Sequence, residues 1–296
     1  MKPDRQNPET AAKSGRGNRL RLGLMAVFLC VFCFSAYKLT DTLLASKGEQ
    51  DEFASLSALV ARERASASPT GTSVQVPVAA GEAIAEERPP ENGGDASLSG
   101  TKERSVLPCY APLCDMNPDF FGWLSIEGTK IDYPVMYSPD RPEHYLHRAF
   151  DGSRSYSGVP FMDGACPPDG NMYLIYGHHM RDKTMFGQLP LYAQQRFYEE
   201  HSIIRFDTRY EQRAYQVIAA FYSRVYAENE PAAFRYYEFV DLSDEKVFEA
   251  YVASVRDAAI YDTGFTAAYG DEFLALSTCN YHTKDGRFVV VAKRIA

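Results

Sequence analysis

A cysteine and an arginine stand where the sequence pattern predicts that they meet. Cys279 ends one apolar run, the turn dipeptide Asp285-Gly286 follows, and Arg287 begins a second run that is rich in Val. If the two runs pair as a hairpin, Cys279 faces Arg287. A guanidinium beside a thiol favours the thiolate, and it can stabilise the oxyanion that forms when a thiolate attacks a carbonyl. The segment therefore indicates a reactive cysteine, with a small buried hydrophobic residue as the alternative.

A nucleophilic cysteine needs a group that moves protons, and this group is usually a histidine. His178 follows the apolar run Met172–Tyr176, with Gly177 between them to let the chain turn. His282, three residues after Cys279, is the local competitor. The structural alternative for any such residue is a solvated or packing histidine. Three further histidines lie in charged surroundings and are predicted to be surface residues: His144, His147 and His201.

A metal site is the rival interpretation of the histidines and cysteines. His178-His179 together with Cys109, Cys114 or Cys166 offers zinc ligands, but the chain has no CxxC, HxxxH or HExxH spacing. No loop has the oxygen-ligand spacing of a calcium site. We therefore expect no metal and no cofactor. Whether Cys109 and Cys114 form a disulfide stays open, because sequence does not fix cysteine pairing.

The N-terminal region has the pattern of a membrane anchor. Residues 1–21 are polar and basic, and an uncharged run from Leu22 to Tyr37 follows and ends at Lys38. Such a run spans about 24 Å as a helix, somewhat short of the ~30 Å hydrocarbon core, although flanking basic residues can reach the interface. The basic residues predict a cytoplasmic tail over 1–21 and a signal anchor over 22–38. A cleaved signal peptide and a buried soluble helix are the alternatives.

Residues 39–106 are predicted to connect this anchor to a folded domain. Residues 41–66 place Phe53, Leu56, Leu59 and Val60 at helical spacing, which predicts an amphipathic helix. From Ala65 to about Ser105 the composition shifts to Ser, Ala, Pro, Gly and Glu, which is typical of a flexible extracellular stalk. Residues 107–296 remain for one folded domain, which is long enough for a core.

The pattern of the domain over 107–296 is mostly strands with a few peripheral helices. Asn117-Pro118 is typical of a helix start and predicts a short helix before Trp123. Two further helices are predicted, over Leu191–Glu200 and over Asp244–Ala259, the second with Val247, Tyr251 and Val255 on one face. This composition favours a β-barrel or sandwich over alternating βαβ units. The predicted strands are Lys130–Tyr137, Met172–Tyr176, Ile203–Phe206, Ala214–Phe221, Phe273–Ser277 and Phe288–Ile295.

Charge excludes one class of partner. The chain of 296 residues has 31 Lys and Arg against 39 Asp and Glu, for a net charge of −8. Nucleic-acid binders normally present a basic face, so we expect no nucleic-acid partner.

Several motifs in order resemble the sortases, the cysteine transpeptidases that anchor proteins to the cell wall of Gram-positive bacteria. The segment Leu276–Cys279 followed by Arg287–Lys293 is similar to the sortase signature. Tyr176–Met180, with Met185–Leu189 after it, resembles the class B subgroup. Further class B similarities are Gly122–Ile126, Ile131–Met136, Phe161–Asp163 and the helix Asp244–Ala259. The resemblance runs from about Asn117 to Ala296, and it implies a sortase-like β-barrel with an N-terminal transmembrane helix.

The resemblance also implies roles for particular residues. Cys279 would be the nucleophile, His178 the catalytic histidine and Arg287 the partner of the oxyanion or the substrate carbonyl. Four residues match positions that bind the sorting signal in the family's groove: Ser277, Thr278, Leu146 and Tyr236. Two positions depart from some members, because Asn280-Tyr281 replaces an acidic residue and Arg141-Pro142 replaces a substrate-binding Asn. Cys166 has no counterpart.

The implied activity is that of a single-pass membrane enzyme with an extracellular catalytic domain. It would cleave surface proteins at the Thr of a C-terminal sorting motif and transfer the acyl group to an amine of a cell-wall precursor. The alternatives are a sortase that polymerises pilins, a secreted cysteine peptidase that only hydrolyses, and a non-catalytic surface binding module. The sorting motif, the amine acceptor and the oligomeric state are not encoded in any pattern that the sequence shows.

Overall fold

The computed structural model describes residues 9–67, 104–227, 229–230 and 233–296. The greater part of the predicted stalk, residues 68–103, lies outside the described residues, as do residues 1–8 of the predicted tail.

The first element is a single long helix, α1, over Glu9–Ala67. Its segment Arg21–Thr40 has a mean hydropathy of 2.0, and none of it is buried. Twenty residues in a helix measure about 30 Å, the thickness of a hydrocarbon core. Among the described residues this is the one helix that is long and apolar enough to cross a membrane. Its length and composition fit a single-pass anchor.

The part of α1 that follows this segment packs against the folded domain. Phe53, Leu56 and Val60 are buried, at the spacing that the sequence predicted. The Phe53 ring meets Tyr133 edge-on, with the ring centroids 5.2 Å apart. The burial of this apolar stripe therefore stabilises the C-terminal part of α1, as it does most helices in proteins.

Eight strands form a closed barrel. They are β1 (Phe120–Ser125), β2 (Asp132–Met136), β3 (Phe161–Met162), β4 (Met172–Tyr176), β5 (Ile203–Thr208), β6 (Ala214–Arg224), β7 (Phe273–Cys279) and β8 (Gly286–Arg294). Their order around the barrel is β1-β2-β3-β4-β7-β8-β6-β5, and β5 returns to β1. Closure leaves no free sheet edge, and the inward side chains fill the interior. The predicted class, a mostly β barrel with few helices, is confirmed.

The helices that follow α1 are peripheral and short. They are α2 (Ala111–Met116), α3 (Gln195–Glu200) and α4 (Glu245–Ala258), together with 3₁₀ helices at Pro108–Tyr110, His144–His147, Leu189–Ala193 and Tyr236–Glu238. The predicted helix Leu191–Glu200 is thus a 3₁₀ turn followed by α3. The predicted helix Asp244–Ala259 corresponds to α4, and the Asp244 side chain caps it by accepting hydrogen bonds from the amides of Lys246 and Val247.

Two local predictions were wrong. Asn117-Pro118 does not begin a helix, because Asn117 ends α2 and its Oδ1 accepts a hydrogen bond from the Asp119 amide at 2.9 Å. That turn leads directly into β1, whose apolar residues are buried in the barrel wall. On α4, Phe248 rather than Val247 lies on the buried face with Tyr251 and Val255. Phe248 packs on Phe273 of β7, with ring centroids 5.7 Å apart.

Candidate active site

The predicted hairpin is present and places Cys279 opposite Arg287. Strands β7 and β8 are antiparallel, and their last paired residues are these two. The connecting loop closes through a hydrogen bond from the Asn280 amide to the Gly286 carbonyl at 2.9 Å. Asp285 has a positive φ of 54°, as a tight turn requires, and a Cβ at Gly286 would lie only 2.2 Å from the Asn280 carbonyl oxygen. The turn sequence therefore fixes the position of Arg287.

The parallel pairing of β4 with β7 brings His178 to the same end of the barrel. Tyr176 pairs with Ser277, and His178 and Cys279 each follow two residues later, so both lie at this end of the barrel. Two hydrogen bonds maintain this register past the end of β4. The Gly177 amide donates to the Ser277 carbonyl at 3.2 Å, and the Thr278 hydroxyl donates to the Gly177 carbonyl at 2.7 Å.

Gly177 is needed here for space rather than for a turn. Its φ is not in the left-handed region, but a Cβ at this position would lie 2.8 Å from the ring of Phe186. Phe186 is fully buried and cannot withdraw. The close approach of the backbone to this ring sets the path of the chain into His178.

The His178 ring is held by a backbone carbonyl. Its Nε2 lies 2.8 Å from the Leu146 carbonyl oxygen, which only accepts, so Nε2 carries the hydrogen and Nδ1 remains for proton exchange. The exposed ring of His147 stacks on His178 with centroids 5.4 Å apart. Burial lowers the pKa of His178, the hydrogen bond to Leu146 raises it, and the charge of His147 lowers it, with a net lowering. At neutral pH the imidazole is therefore mainly uncharged.

The guanidinium of Arg287 keeps its charge available. Its Nη1 donates to the carbonyl oxygens of Asp285 and Gly286, at 3.3 and 3.1 Å. Both acceptors are neutral, so these contacts orient the side chain without cancelling its charge. A cation opposite a thiol is the arrangement that stabilises a thiolate or a developing oxyanion.

All three residues line one groove of about 420 Å³ on the outside of the barrel. The four predicted substrate-binding residues Ser277, Thr278, Leu146 and Tyr236 line the same groove. Its other walls are Pro142, Glu143, Phe161, Asp163, Gly164, Tyr176, Gly177, Val225 and Tyr237. A concave groove with apolar walls and a few polar groups is the usual form of a ligand-binding site.

Two hydrogen-bonded pairs of side chains lie in the lining of the groove. Tyr236 Oη and Ser277 Oγ lie 2.7 Å apart, and burial raises the pKa of Tyr236 to about 12. Tyr176 donates to Asp163 at 2.9 Å, and burial followed by the charge of Asp163 raises the pKa of Tyr176. Both tyrosines are therefore uncharged hydrogen-bonding groups rather than proton carriers at neutral pH.

The structure shows which of the other histidines lie near the groove. His282 bonds to Asn280 within its own loop and does not line the groove, whereas His147, predicted only as a surface residue, touches His178. His179 bonds through Nδ1 to the Cys279 carbonyl at 2.9 Å. No sequence pattern predicts that His147 meets His178 or that His179 meets Cys279, because these contacts depend on the folded register.

The other cysteines are all free thiols, including Cys109 and Cys114. Cys166 is fully buried, and burial raises its pKa to about 12. Among the residues that the structure describes, no group of three or more His, Cys, Asp or Glu side chains is arranged to hold a metal ion.

A closed barrel that brings a thiol, an imidazole and a guanidinium to one peptide-sized groove defines a candidate cysteine acyl-transfer enzyme. Residues 124–295 match the sortase domain family. The chain belongs to the sortases, a family of cysteine transpeptidases, and its relatives place it in class B.

Two curated relatives are sortase B proteins. The chain is 30% identical over 202 residues to sortase B of Staphylococcus aureus, which covers 67% of this chain and 79% of the relative. It is also 30% identical over 193 residues to sortase B of Listeria monocytogenes, covering 62% of this chain and 72% of the relative.

Solved structures agree with this placement. Sortase B of Bacillus anthracis in complex with the compound AAEK1 matches with a TM-score of 0.56 at 27% identity, covering 66% of this chain and 88% of that structure. A complex of Staphylococcus aureus sortase B with substrate matches with a TM-score of 0.57 at 29% identity, covering 64% and 86%. Sortase B of Clostridium perfringens matches with a TM-score of 0.56 at 26% identity, covering 62% and 98%.

Proposed function

We propose that this protein is a membrane-anchored transpeptidase that cleaves a C-terminal sorting motif of surface proteins at Thr and transfers the acyl group to a cell-wall amine. The observation that carries the proposal is that Cys279, His178 and Arg287 line one groove in a family of cysteine transpeptidases. Their residue types are those that acyl transfer through a thioester requires.

The first half of the reaction forms a thioester. Neutral His178 takes the proton of the Cys279 thiol, and the thiolate attacks the carbonyl carbon of the scissile bond. The negative charge that develops on the carbonyl oxygen faces the Arg287 guanidinium. When the C–N bond breaks, the protonated His178 returns the proton to the leaving amine. Because the lowered pKa keeps His178 uncharged at neutral pH, it begins the cycle able to accept a proton.

The second half resolves the thioester with a new amine. The acceptor amine attacks the thioester carbonyl, Arg287 again faces the oxyanion, and His178 takes a proton from the attacking nitrogen. The proton then returns to the Cys279 sulfur as it leaves. The energy of the cleaved amide is retained in the thioester, so the exchange needs no nucleotide.

The groove supplies the binding surface for the sorting motif. Leu146 offers an apolar wall, and Ser277, Thr278 and Tyr236 line the groove with hydroxyls that are already hydrogen-bonded within the protein. Since the Tyr236 and Ser277 hydroxyls bond to each other, the substrate meets a fixed polar pair. Because these two side chains are already ordered, binding of the substrate costs less side-chain conformational entropy.

The membrane helix supports an extracellular location for the barrel. Basic residues precede the apolar segment Arg21–Thr40, and positive charge favours the cytoplasmic side. The N-terminal tail is then cytoplasmic and the barrel lies outside. This placement gives the enzyme access to surface proteins during export and to cell-wall precursors.

Product analysis tests the proposed function. The full chain in detergent micelles is incubated with a library of C-terminal sorting peptides, with and without an added amine such as a glycine oligomer. We expect cleavage at Thr, an amide product when amine is present, and loss of both reactions in Cys279→Ala. Cys114→Ala, which removes a thiol outside the groove, is the control. Free acid alone in the presence of amine would indicate a peptidase, and activity retained in Cys279→Ala would refute the proposed nucleophile.

A further inference from the structure

The part of α1 that follows the membrane segment contacts both loops that flank His178. From Thr40 to Glu49 the helix rises about 14 Å, so this contact begins close to the end of the membrane segment. The sequence predicted this helix only as part of the connection to the catalytic domain. Its contacts indicate a second role.

Glu49 binds one loop with both carboxylate oxygens. Oε1 accepts hydrogen bonds from the Ser155 hydroxyl at 2.7 Å and from the Tyr156 amide at 2.9 Å. Oε2 accepts a hydrogen bond from the Ser157 hydroxyl. Ser155 and Ser157 are each only 5% exposed. Hydrogen bonds to an ionised carboxylate are the stronger kind, and three of them from consecutive residues fix the loop.

This loop supports the 3₁₀ helix His144–His147. The Ser155 hydroxyl accepts from the Gly158 amide at 2.9 Å, and the Ser155 amide donates to the His147 carbonyl at 3.1 Å. Gly158, with a positive φ of 60°, lies so close that a Cβ there would be 2.5 Å from the Leu146 carbonyl oxygen. That oxygen is the one that accepts the hydrogen bond from His178 Nε2. A continuous set of contacts therefore joins Glu49 to His178.

A second set of contacts reaches the loop on the other side of His178. Phe53 packs on Tyr133, and the Tyr133 hydroxyl accepts from the Met185 amide at 3.1 Å. Met185 pairs with His179 in an isolated bridge, and its φ of 49° is unusual for a residue with a side chain. Such a conformation persists only where surrounding contacts hold it. The helix thus contacts the two chain segments that determine where His178 lies.

From these contacts we infer that Glu49 is a positioning residue for His178, and that the juxtamembrane part of α1 belongs to the catalytic unit. Glu49 holds the loop 155–158, the loop holds the Leu146 carbonyl, and this carbonyl fixes the tautomer and the direction of the imidazole. The expected effect of Glu49 on activity rests on the proposed function. The structural link from Glu49 to the His178 ring is independent of that function.

Histidine NMR and peptide kinetics on the full chain in micelles test this inference. The chain is labelled with ¹⁵N-histidine, and the His178 signals are assigned with His178→Asn. We expect Glu49→Ala to move the His178 Nε2 resonance and to lower kcat roughly ten- to hundredfold, the cost of a small displacement of a catalytic group, with a smaller change in KM. Glu49→Gln keeps one acceptor oxygen and is expected to retain more activity.

Asp51→Ala is the matched control, because it removes the same charge from an exposed position two residues along the same helix. It is expected to leave the His178 resonance and kcat unchanged. The inference is overturned if Glu49→Ala leaves the His178 resonance in place. It is also overturned if activity falls only in proportion to the unfolded fraction measured by circular dichroism. If the wild-type chain forms no transpeptidation product, the proposed function fails while the NMR comparison still decides the role of Glu49.

Discussion

At the scale of single residues, the site depends on a neutral histidine beside a thiol and a cation. His178 bonds to a carbonyl through Nε2, and its lowered pKa leaves Nδ1 free of a proton at neutral pH. Arg287 is oriented by neutral carbonyls and keeps its charge. Each property follows from what the side chain touches, and each leads to a measurement.

The pH dependence of kcat/KM reports the His178 pKa. Because burial lowers this pKa below the ordinary value of about 6.5, the acidic limb of the profile is expected to have its midpoint below pH 6.5. His147→Gln removes a charge that lowers the pKa of His178, so it should move this limb to higher pH. His147 is exposed, so its replacement leaves the core intact and removes only its charge and its ring contact with His178. A limb that lies above pH 6.5, or that does not respond to His147→Gln, would contradict the assignment of His178 as the base.

Alkylation distinguishes Cys279 from a buried cysteine. Cys279 lines the open groove, whereas Cys166 is fully buried with a pKa of about 12 and stays protonated. Iodoacetamide at neutral pH is therefore expected to modify Cys279 at least tenfold faster than Cys166, since the thiolate is the reactive form. Peptide mapping by mass spectrometry measures both rates in the same sample. Equal rates would indicate that Cys279 is an ordinary structural thiol.

At the scale of elements, the parallel pair β4–β7 and the hairpin β7–β8 bring the three residues together. Hydrogen bonds of Gly177 with Ser277 and Thr278 continue the β4–β7 register, and Gly177 passes close over the Phe186 ring. The site is thus assembled by strand ends from two separate parts of the sequence, as is common for active sites on a rigid scaffold.

Gly177→Ala tests this packing. The added Cβ would lie 2.8 Å from a ring that is fully buried, so we expect a loss of about 1–3 kcal/mol in the free energy of unfolding and a lower kcat. Urea denaturation followed by fluorescence measures the first quantity. Gly48→Ala on α1, where nothing lies within 4 Å, is the control and should not destabilise the chain. An unchanged stability in Gly177→Ala would show that the Phe186 contact is not restrictive.

The elements also show what the sequence was able to predict. Strand β4 was predicted at its observed bounds, and β7 and β8 nearly so, because their runs of aromatic and branched residues end at turn residues. Strand β1 was missed because Asn117-Pro118 has the residue types of a helix start while forming a turn. Strand β3 has only two residues and no pattern of its own. The bond from His178 to Leu146 spans 32 residues and depends on the closed barrel, so no local pattern encodes it.

At the scale of the whole molecule, one helix, α1, carries the apolar segment Arg21–Thr40 and also packs on the barrel. Phe53, Leu56 and Val60 bury their side chains on the domain, and Arg64 bonds to Asp207 at 2.6 Å. Asp207 also accepts from the buried Tyr110 hydroxyl at 2.7 Å. The part of α1 that follows the apolar segment is therefore part of the folded core.

Truncation tests this arrangement. A fragment that begins at Leu107 lacks the three buried side chains, each of which contributes about 1.5–3 kcal/mol when fully buried. Together these side chains contribute roughly 4.5–9 kcal/mol, and the entropy cost of ordering the helix offsets part of it. We therefore expect this fragment to be less stable in urea by about 5 kcal/mol than a fragment that begins at Thr40, and to associate more readily through the uncovered surface. Equal stability of the two fragments, with both monomeric by sedimentation, would contradict the packing of α1 on the barrel.

The central claim is that Cys279 carries the acyl group. Intact-mass spectrometry of the full chain, mixed with a cleavable sorting peptide in the absence of acceptor amine, tests it most directly. The account predicts an adduct on Cys279 that adds the mass of the peptide fragment ending at Thr less one water. Digestion should locate it on Cys279, hydroxylamine should release it, and Cys279→Ala should not form it. Formation of product with no adduct on Cys279, or an adduct on another residue, would contradict it.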